Sequence, residues 1–538
     1  MEVDSSLTDS VSTTSLGKGR ECIKECCKPR YQKASKGAIL VLVWSFLATS
    51  VYHYYGISIE RDSVIKNHPI DSELLVIALL LPIGGWLADA YLGRYTVIHY
   101  GMWTMWLGAV LSTLSLVFAK VSTLYGSHGD RWVSFVSKAI MGAGLGVFQA
   151  NIIQFGIDQL SVASSTAITS FITWYSGTLF ASGIVIYVCG ECTSTDYAGI
   201  LVVVVFLTLA LCSNFFLNHL LVKEHPTDNP LPLIWKVVRY TIKNKHQWQR
   251  LLPSQEHTIL SKFNIAKTMY AGPFSDEQVE DVKTFFRVML IITTCMAACS
   301  GLTNVSYART ELMKHLQNWP NSNDTSLSSC YTRLSLTYVN YPAVVATFLL
   351  YKTVIQPLFY NVLPRVNMTT KFVISIILFF ITIMALLGIE LAAYLHQTKN
   401  QCVFQGLGDT SKADNHVVYT INYLWMIVPG MAHGYFVFLL VITYIEFICA
   451  QAPFNMKGLV LGTVYTLFGL GALIQTALST PFLYKQPAWE KAPLTCGIWY
   501  FMLQGVIVIV VFIVIVVMTK KYKLRERSNQ LHKLINVH

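Results

Sequence analysis

Apolar residues run in stretches of about 20 along this chain, separated by short polar segments, from residue 38 almost to the C-terminus. A helix of about 20 residues crosses the roughly 30 Å hydrocarbon core of a bilayer. Twelve such runs occur, near 38–57, 71–91, 96–119, 132–154, 167–189, 197–221, 284–305, 334–356, 371–394, 418–449, 458–480 and 495–519. Each is predicted to be a transmembrane helix, because lipid leaves the backbone no partner but itself. The run at 418–449 is long for one span and implies tilt or emergence into water. The first 37 residues are polar and carry no cleavable signal pattern.

The spacing of the runs divides the chain. Residues 1–37 form an N-terminal tail, 38–221 a first lobe of six helices, 222–283 a central loop, 284–519 a second six-helix lobe, and 520–538 a C-terminal tail. The predicted fold class is an all-α membrane protein of twelve transmembrane helices in two six-helix lobes. That layout belongs to two-lobed secondary transporters, whose site lies between the lobes near the midplane. Other twelve-span carriers share the hydropathy pattern.

Composition and charge sharpen this. Only 13% of residues are charged, against roughly 25% in a soluble domain. With both termini on one side, the tails and loops of that side hold about 26 Lys and Arg, against about 11 opposite. That side is expected to be cytoplasmic. The net charge of +11 is thus a topology signal, the lipid bilayer is the expected surrounding, and no nucleic-acid partner is expected.

Smaller features follow. "IWKVVRYTIKNKHQW" places Ile234, Val237, Val238 and Ile242 on one helix face with basic residues elsewhere. It reads as an amphipathic helix, either on an anionic leaflet or beneath the bundle. Ser275 precedes Gln278 by three residues, a capping-box start for the next helix. Cys22, Cys26 and Cys27 lie among basic residues before the first span; they are palmitoylation candidates or plain cytosolic thiols. Cys189 and Cys192 form a CxxC without the βαβ context of a redox site. Cys192, Cys330, Cys402 and Cys496 are all external, with pairing open. Asn323-Asp324-Thr325 is a glycosylation sequon. Gly142, Gly144 and Gly146 lie inside a span and suit close helix contact better than phosphate binding.

The stretch "PIGGWLADAYLGRY" sets Asp89 and Arg94 in the short turn between spans two and three. Asp89 can cap the following helix or pair with Arg94. The spacing Gly85, Asp89, Gly93, Arg94 resembles the signature loop of the major facilitator superfamily, which latches the lobes on the cytoplasmic side. "GGWLADAYLGRY", "ANIIQFGIDQ" (which contains Asp158), "YAGPFSDEQVEDVK" and "IEFICAQAPFNMKGLVLG" (which contains Glu446) occur in that order. Together they resemble the proton-coupled oligopeptide transporter family, especially its peptide/histidine branch. The resemblance spans nearly all of the membrane region.

It implies transport of di-/tripeptides or histidine with protons, yet the residues expected to do that work are altered. Alignment on Tyr54-Tyr55-Gly56 puts Leu47, Ser50 and Val51 at the family's two Glu and Arg of span one. The family's span-four Lys falls on Gln149, its span-five Asn near Phe180, and its span-ten Glu on Val437. Proton coupling needs a group whose proton affinity changes with state, and charged peptide termini need opposite charges. Here the charged interior is largely neutralised.

Candidate replacements are His53, the first choice for proton coupling, and His99, His219 and His433. Lys138 is expected to snorkel outward and Glu390 to reach water or a neighbouring His. Tyr54, Tyr55, Gln149, Asn151, Trp174 and Tyr175 are candidate substrate-binding residues, suited to an uncharged or delocalised solute. Glu446 is a gating or capping candidate beside the latch group Gly85, Asp89, Gly93, Arg94 and Asp158.

Three readings stand: a secondary transporter of small organic solutes, a transport-deficient scaffold for cytosolic protein partners, and a proton-independent facilitator. No nucleophile constellation or metal-ligand cluster is apparent, so no enzyme, cofactor or metal is expected. The peptide/histidine branch points to endosomes or lysosomes. Neither tail carries an acidic dileucine signal, which leaves the plasma membrane open.

Overall fold

The structure is a computed structural model and describes residues 36–54, 72–122, 130–160, 165–191, 198–224, 226, 229–244, 262–299, 316–317, 340–355, 358, 368–395, 419–483 and 496–522. Tyr55, Cys22, Cys26, Cys27, Cys192, Asn323, Cys330 and Cys402 lie outside the described residues.

The first half of the chain supplies α1 (Lys36–Tyr54), α2 (Ser72–Leu87), α3 (Arg94–Ser122), α4 (Asp130–Asp158), α5 (Ser165–Glu191) and α6 (Ala198–Leu217). A separate helix, α7 (Pro230–Lys243), follows. The second half supplies α8 (Asp276–Cys299), α9 (Asn340–Leu350), α10 (Met368–Leu395), α11 (Ile427–Gln451), α12 (Lys457–Leu483) and α13 (Cys496–Lys521). Seven of the described helices are long and apolar enough to cross a membrane, and three shorter apolar helices accompany them. The chain is a multi-span, all-α membrane protein. Its described strands are two short pieces, β1 (Leu316–Gln317) and β2 (Tyr419–Asn422), paired in parallel.

Small residues set the helix spacing. A Cβ on Gly144 of α4 would come within 2.7 Å of the Gly101 carbonyl of α3 and 2.6 Å of the Met105 amide. Glycine therefore lets these two backbones touch, the close-contact role expected for the Gly142–Gly146 stretch. The apolar interior runs through both halves, with Trp44, Phe148, Tyr175, Phe379, Phe436 and Tyr500 fully buried.

Several helix pairs join the halves, and two of the seams position the site. On one seam α2 meets α12: a Cβ on Gly462 would lie 2.9 Å from Pro82 Cα. On the other α5 meets α9, where Trp174 stacks edge-on against Phe348 with ring centroids 5.1 Å apart. Lys352, in the π turn Tyr351–Ile355 after α9, donates to Ser170 Oγ at 2.9 Å.

The central segment is folded where described. Asn229 caps α7 by accepting from Leu231 N at 3.2 Å. The capping box at the start of α8 forms: Gln278 N donates to Ser275 Oγ (3.3 Å) and Ser275 N to Gln278 Oε1 (3.2 Å). Val237 of α7 packs with Ala266, Val279 and Val282 in a small separate core. This corrects the face expected from sequence, since Ile242 is 70% exposed rather than buried with Val237.

Candidate functional site

Gly85, Asp89, Gly93, Arg94 and Asp158, the group proposed from sequence as a latch, converge at the seam of α2 and α12. Beyond Leu87, α2 widens into a π turn, Ala88–Leu92, closed by Gly93 N donating to Ala88 O at 3.1 Å. Gly93 adopts φ +77°, a conformation that costs a side-chain-bearing residue but not glycine. The turn aims Asp89 at the first turn of α12, where helix amides lack intrahelical acceptors and the helix dipole is positive. Asp89 Oδ2 accepts from Leu459 N at 3.0 Å. Sequence spacing suggested a cap on the next helix, α3; the structure puts the cap on a helix of the other half. Gly85 and Gly458 allow the approach. A Cβ on Gly85 would overlap the Gly458 carbonyl, and one on Gly458 would lie 2.9 Å from Asp89 Oδ1.

Arg94 ties this contact into the first half. Its Nη2 donates to Asp89 Oδ1 (3.3 Å) and its Nη1 to Asp158 Oδ2 (2.5 Å), while Gln154 Nε2 donates to Asp158 Oδ1 (2.9 Å). All three charged side chains are nearly buried. Buried charges persist only when paired and hydrogen-bonded. Here two carboxylates share one guanidinium, and the helix terminus supplies the remaining positive potential. Nearby, burial and the charge of Asp158 push the Glu224 carboxyl above its ordinary value. Glu446 stands apart from this seam: its Oε2 pairs with Lys371 Nζ at 2.7 Å, within the second half.

Deeper in the bundle, Gln149 of α4 donates through Nε2 to Tyr175 OH of α5 (2.8 Å) and Tyr465 OH of α12 (3.4 Å). Tyr444 OH of α11 donates to Tyr465 OH at 3.3 Å. These groups form a neutral chain of hydrogen bonds from one half to the other. The other altered positions are apolar or self-satisfied. Leu47 and Val51 belong to the core, Phe180 and Val437 pack against it, and Ser50 Oγ donates to Leu47 O at 2.5 Å. An unpaired charge at any of them would cost several kcal/mol.

The remaining candidates scatter around this chain. His53 lies against Leu179 O (Nε2···O 2.7 Å), a contact that requires the ring nitrogen to donate and joins α1 to α5. Asn151 spends its amide on Gly84 O (3.1 Å) and Val147 O (2.9 Å), stitching α4 to α2. Trp174 is 48% exposed, and Tyr54 is half-buried against the core. His99 is bonded to Asn214 (2.5 Å) and accepts from Trp103 Nε1 (3.2 Å). His219 is exposed, whereas His433 is buried beside Phe436. Lys138 and Glu390 are both buried rather than reaching outward, at 8% and 1% exposure.

Sequence reading does not single out Tyr444, Tyr465, Lys352 or Lys371. The two lysines sit at the ends of apolar runs, a signal that was available. The tyrosines looked like ordinary span residues.

No family model matches the chain. Solute carrier family 15 member 3 of Rattus norvegicus is 20% identical over 473 residues, covering 80% of each chain. The Mus musculus protein of the same name is 20% identical over 480 residues, again covering 80% of each. Among solved structures, an auto-inhibited POT family peptide transporter aligns at a TM-score of 0.60 and 14% identity, covering 91% of this chain and 98% of that one. The POT family transporter PepTSo aligns at 0.60 and 12%, covering 90% and 98%. The solved structures establish the transporter fold. The curated relatives, at 20% identity, and the ordered motifs around Asp89, Asp158, Ser275 and Glu446 make the chain similar to the proton-coupled oligopeptide transporters, with which it shares the fold.

Proposed function

We propose that this protein is a secondary transporter of small organic solutes, with twelve spans in two six-helix lobes (38–221 and 284–519) that rock about a midplane site. The tails 1–37 and 520–538 and the loop 222–283 lie on the cytoplasmic side. Asp89, Arg94 and Asp158, with Gly85 and Gly93, act as the latch that closes that side. The contact suits a reversible lock, because it is made of a few charge-assisted hydrogen bonds that water can replace.

The observation that carries the reading is the neutral hydrogen-bonded chain Gln149–Tyr175–Tyr465–Tyr444 across the two halves. Such a site can bind amides and rings through hydrogen bonds and aromatic faces. It offers little to drive protons. We therefore favour facilitated, gradient-independent exchange. Di-/tripeptides and histidine are the cargo the family implies, and solved relatives carry 5-aminolevulinic acid and a thioalcohol-conjugated peptide. Gln149, Tyr175, Trp174, Tyr54 and Tyr55 line the proposed solute path, and Asn151 braces it. Endosomal or lysosomal membranes are the favoured location.

Solute counterflow in proteoliposomes tests alternating access. Unlabelled dipeptide or histidine loaded inside should accelerate entry of labelled solute. Equal entry with and without internal solute would contradict a carrier, and no entry at all would favour the scaffold reading.

A further inference from the structure

Helix α7 carries two different apolar surfaces. Leu233, Ile234, Val237 and Tyr240 face the small core made with Ala266, Val279 and Val282. On the other side Leu231 (41%), Trp235 (66%) and Ile242 (70%) are exposed. At about 100° per residue these three fall within about 40° of one another, so they form one stripe. Lys236, Arg239 and Lys243 are exposed along one flank of that stripe, and the helix contains no acidic residue.

The start of the helix is fixed to the bundle. Asn229 accepts from Trp86 Nε1 of α2 at 3.0 Å and donates to Tyr91 OH at 2.7 Å. Trp86 and Tyr91 pack edge to face, 5.5 Å apart. Trp and Tyr of this kind belong at the headgroup level. The end of α6 on the same side presents Phe215 and Phe216, 81% and 71% exposed. The helix therefore begins where the apolar runs end, at the height of the membrane surface.

We propose that α7 is a membrane-surface anchor whose outer stripe enters the headgroup region and whose basic flank binds anionic phospholipid. The stripe supplies buried apolar area, and the basic stems reach up to the phosphates. Charge complementarity selects this occupant: three cations without an acid repel one another in water and match an anionic leaflet. The inner face of α7 meets α8, the first helix of the second half, while its cap holds α2 of the first. Anionic lipid on α7 thus holds a helix that touches both halves. The proposal stands independently of which solute is carried.

The test uses the full chain in vesicles containing acyl-brominated phosphatidylserine or acyl-brominated phosphatidylcholine at equal mole fraction. The Trp235 emission is the difference between wild type and Trp235→Phe. It should be quenched by both lipids and more strongly by the phosphatidylserine. K236E/R239E/K243E should bring the two to parity while quenching of the remaining tryptophans stays unchanged, which reports an intact bundle. Raised salt should weaken the preference in the wild type. Equal quenching by both lipids in the wild type would overturn anionic binding. Quenching of Trp235 by aqueous iodide but by neither lipid would overturn the anchor, as would protection from all three quenchers, the signature of a protein partner on the stripe.

Discussion

Asp89 and Leu459, 370 residues apart, share a hydrogen bond of 3.0 Å that caps a helix of the second half with a carboxylate of the first. Asp89→Asn retains an acceptor for the Leu459 amide but gives up the charge facing Arg94; Asp89→Ala gives up both. Losing a cap costs about 0.5–2 kcal/mol, and Arg94 would then rely on Asp158 alone. Thermal unfolding in detergent should rank wild type above Asn and Asn above Ala. Equal stability of the three would remove the cap from the account.

Gln149 and Tyr465 should be energetically coupled. Gln149→Leu takes one donor from each of two phenols, and Tyr465→Phe removes the Gln149 contact between halves. A double-mutant cycle should give a coupling of about 0.5–1 kcal/mol. Strictly additive losses would show that the 3.4 Å contact carries no free energy. Gln149→Lys, which restores the family's cation, should destabilise the fold by several kcal/mol.

His53 offers a sharper choice. Its ring nitrogen donates to a backbone carbonyl of α5, a structural task that His53→Gln can preserve. That variant should keep both flux and a flat pH profile, and His53→Ala should lose stability. A pH-dependent flux in the wild type that becomes flat on substitution would make His53 the proton-coupling group.

The small core under α7 should loosen in acid. Burial pushes Glu280 up, but hydrogen bonds and charges from Lys267 (2.6 Å) and Lys283 (2.7 Å) outweigh it and hold the carboxyl below its ordinary value of 4.5. A depressed carboxylate stabilises above its unfolded pKa, and that stability is lost as pH falls through the folded value. Lys283 is itself held below the ordinary lysine value, chiefly by burial. Hydrogen exchange in residues 262–283 should accelerate as pH drops below about 4.5, after correction for intrinsic rates. Glu280→Gln should exchange fast throughout; an unchanged acid profile in that variant would contradict the assignment.

The sequence made some of this legible and hid the rest for physical reasons. Asp89 and Arg94 stood out because charges between apolar runs are rare. Which helix Asp89 caps was hidden, since that depends on a backbone 370 residues away. Helix α7 was readable from its period. Its buried face was not, because both faces are apolar and the fold around Ala266 and Val282 chooses between them. The loss of charge at Gln149 showed only against the family pattern. What its amide does instead depends on Tyr175, a candidate beside Trp174, and on Tyr465, one of 28 tyrosines with no local signal.

Uptake of labelled di-/tripeptides and histidine into proteoliposomes, with and without an inward proton gradient, separates gradient-independent exchange from proton-driven transport. A transporter whose central hydrogen-bonded chain is neutral should bring internal solute up to the external concentration and no further, at a rate the gradient does not change. Accumulation above the external concentration, driven by the gradient, would contradict it.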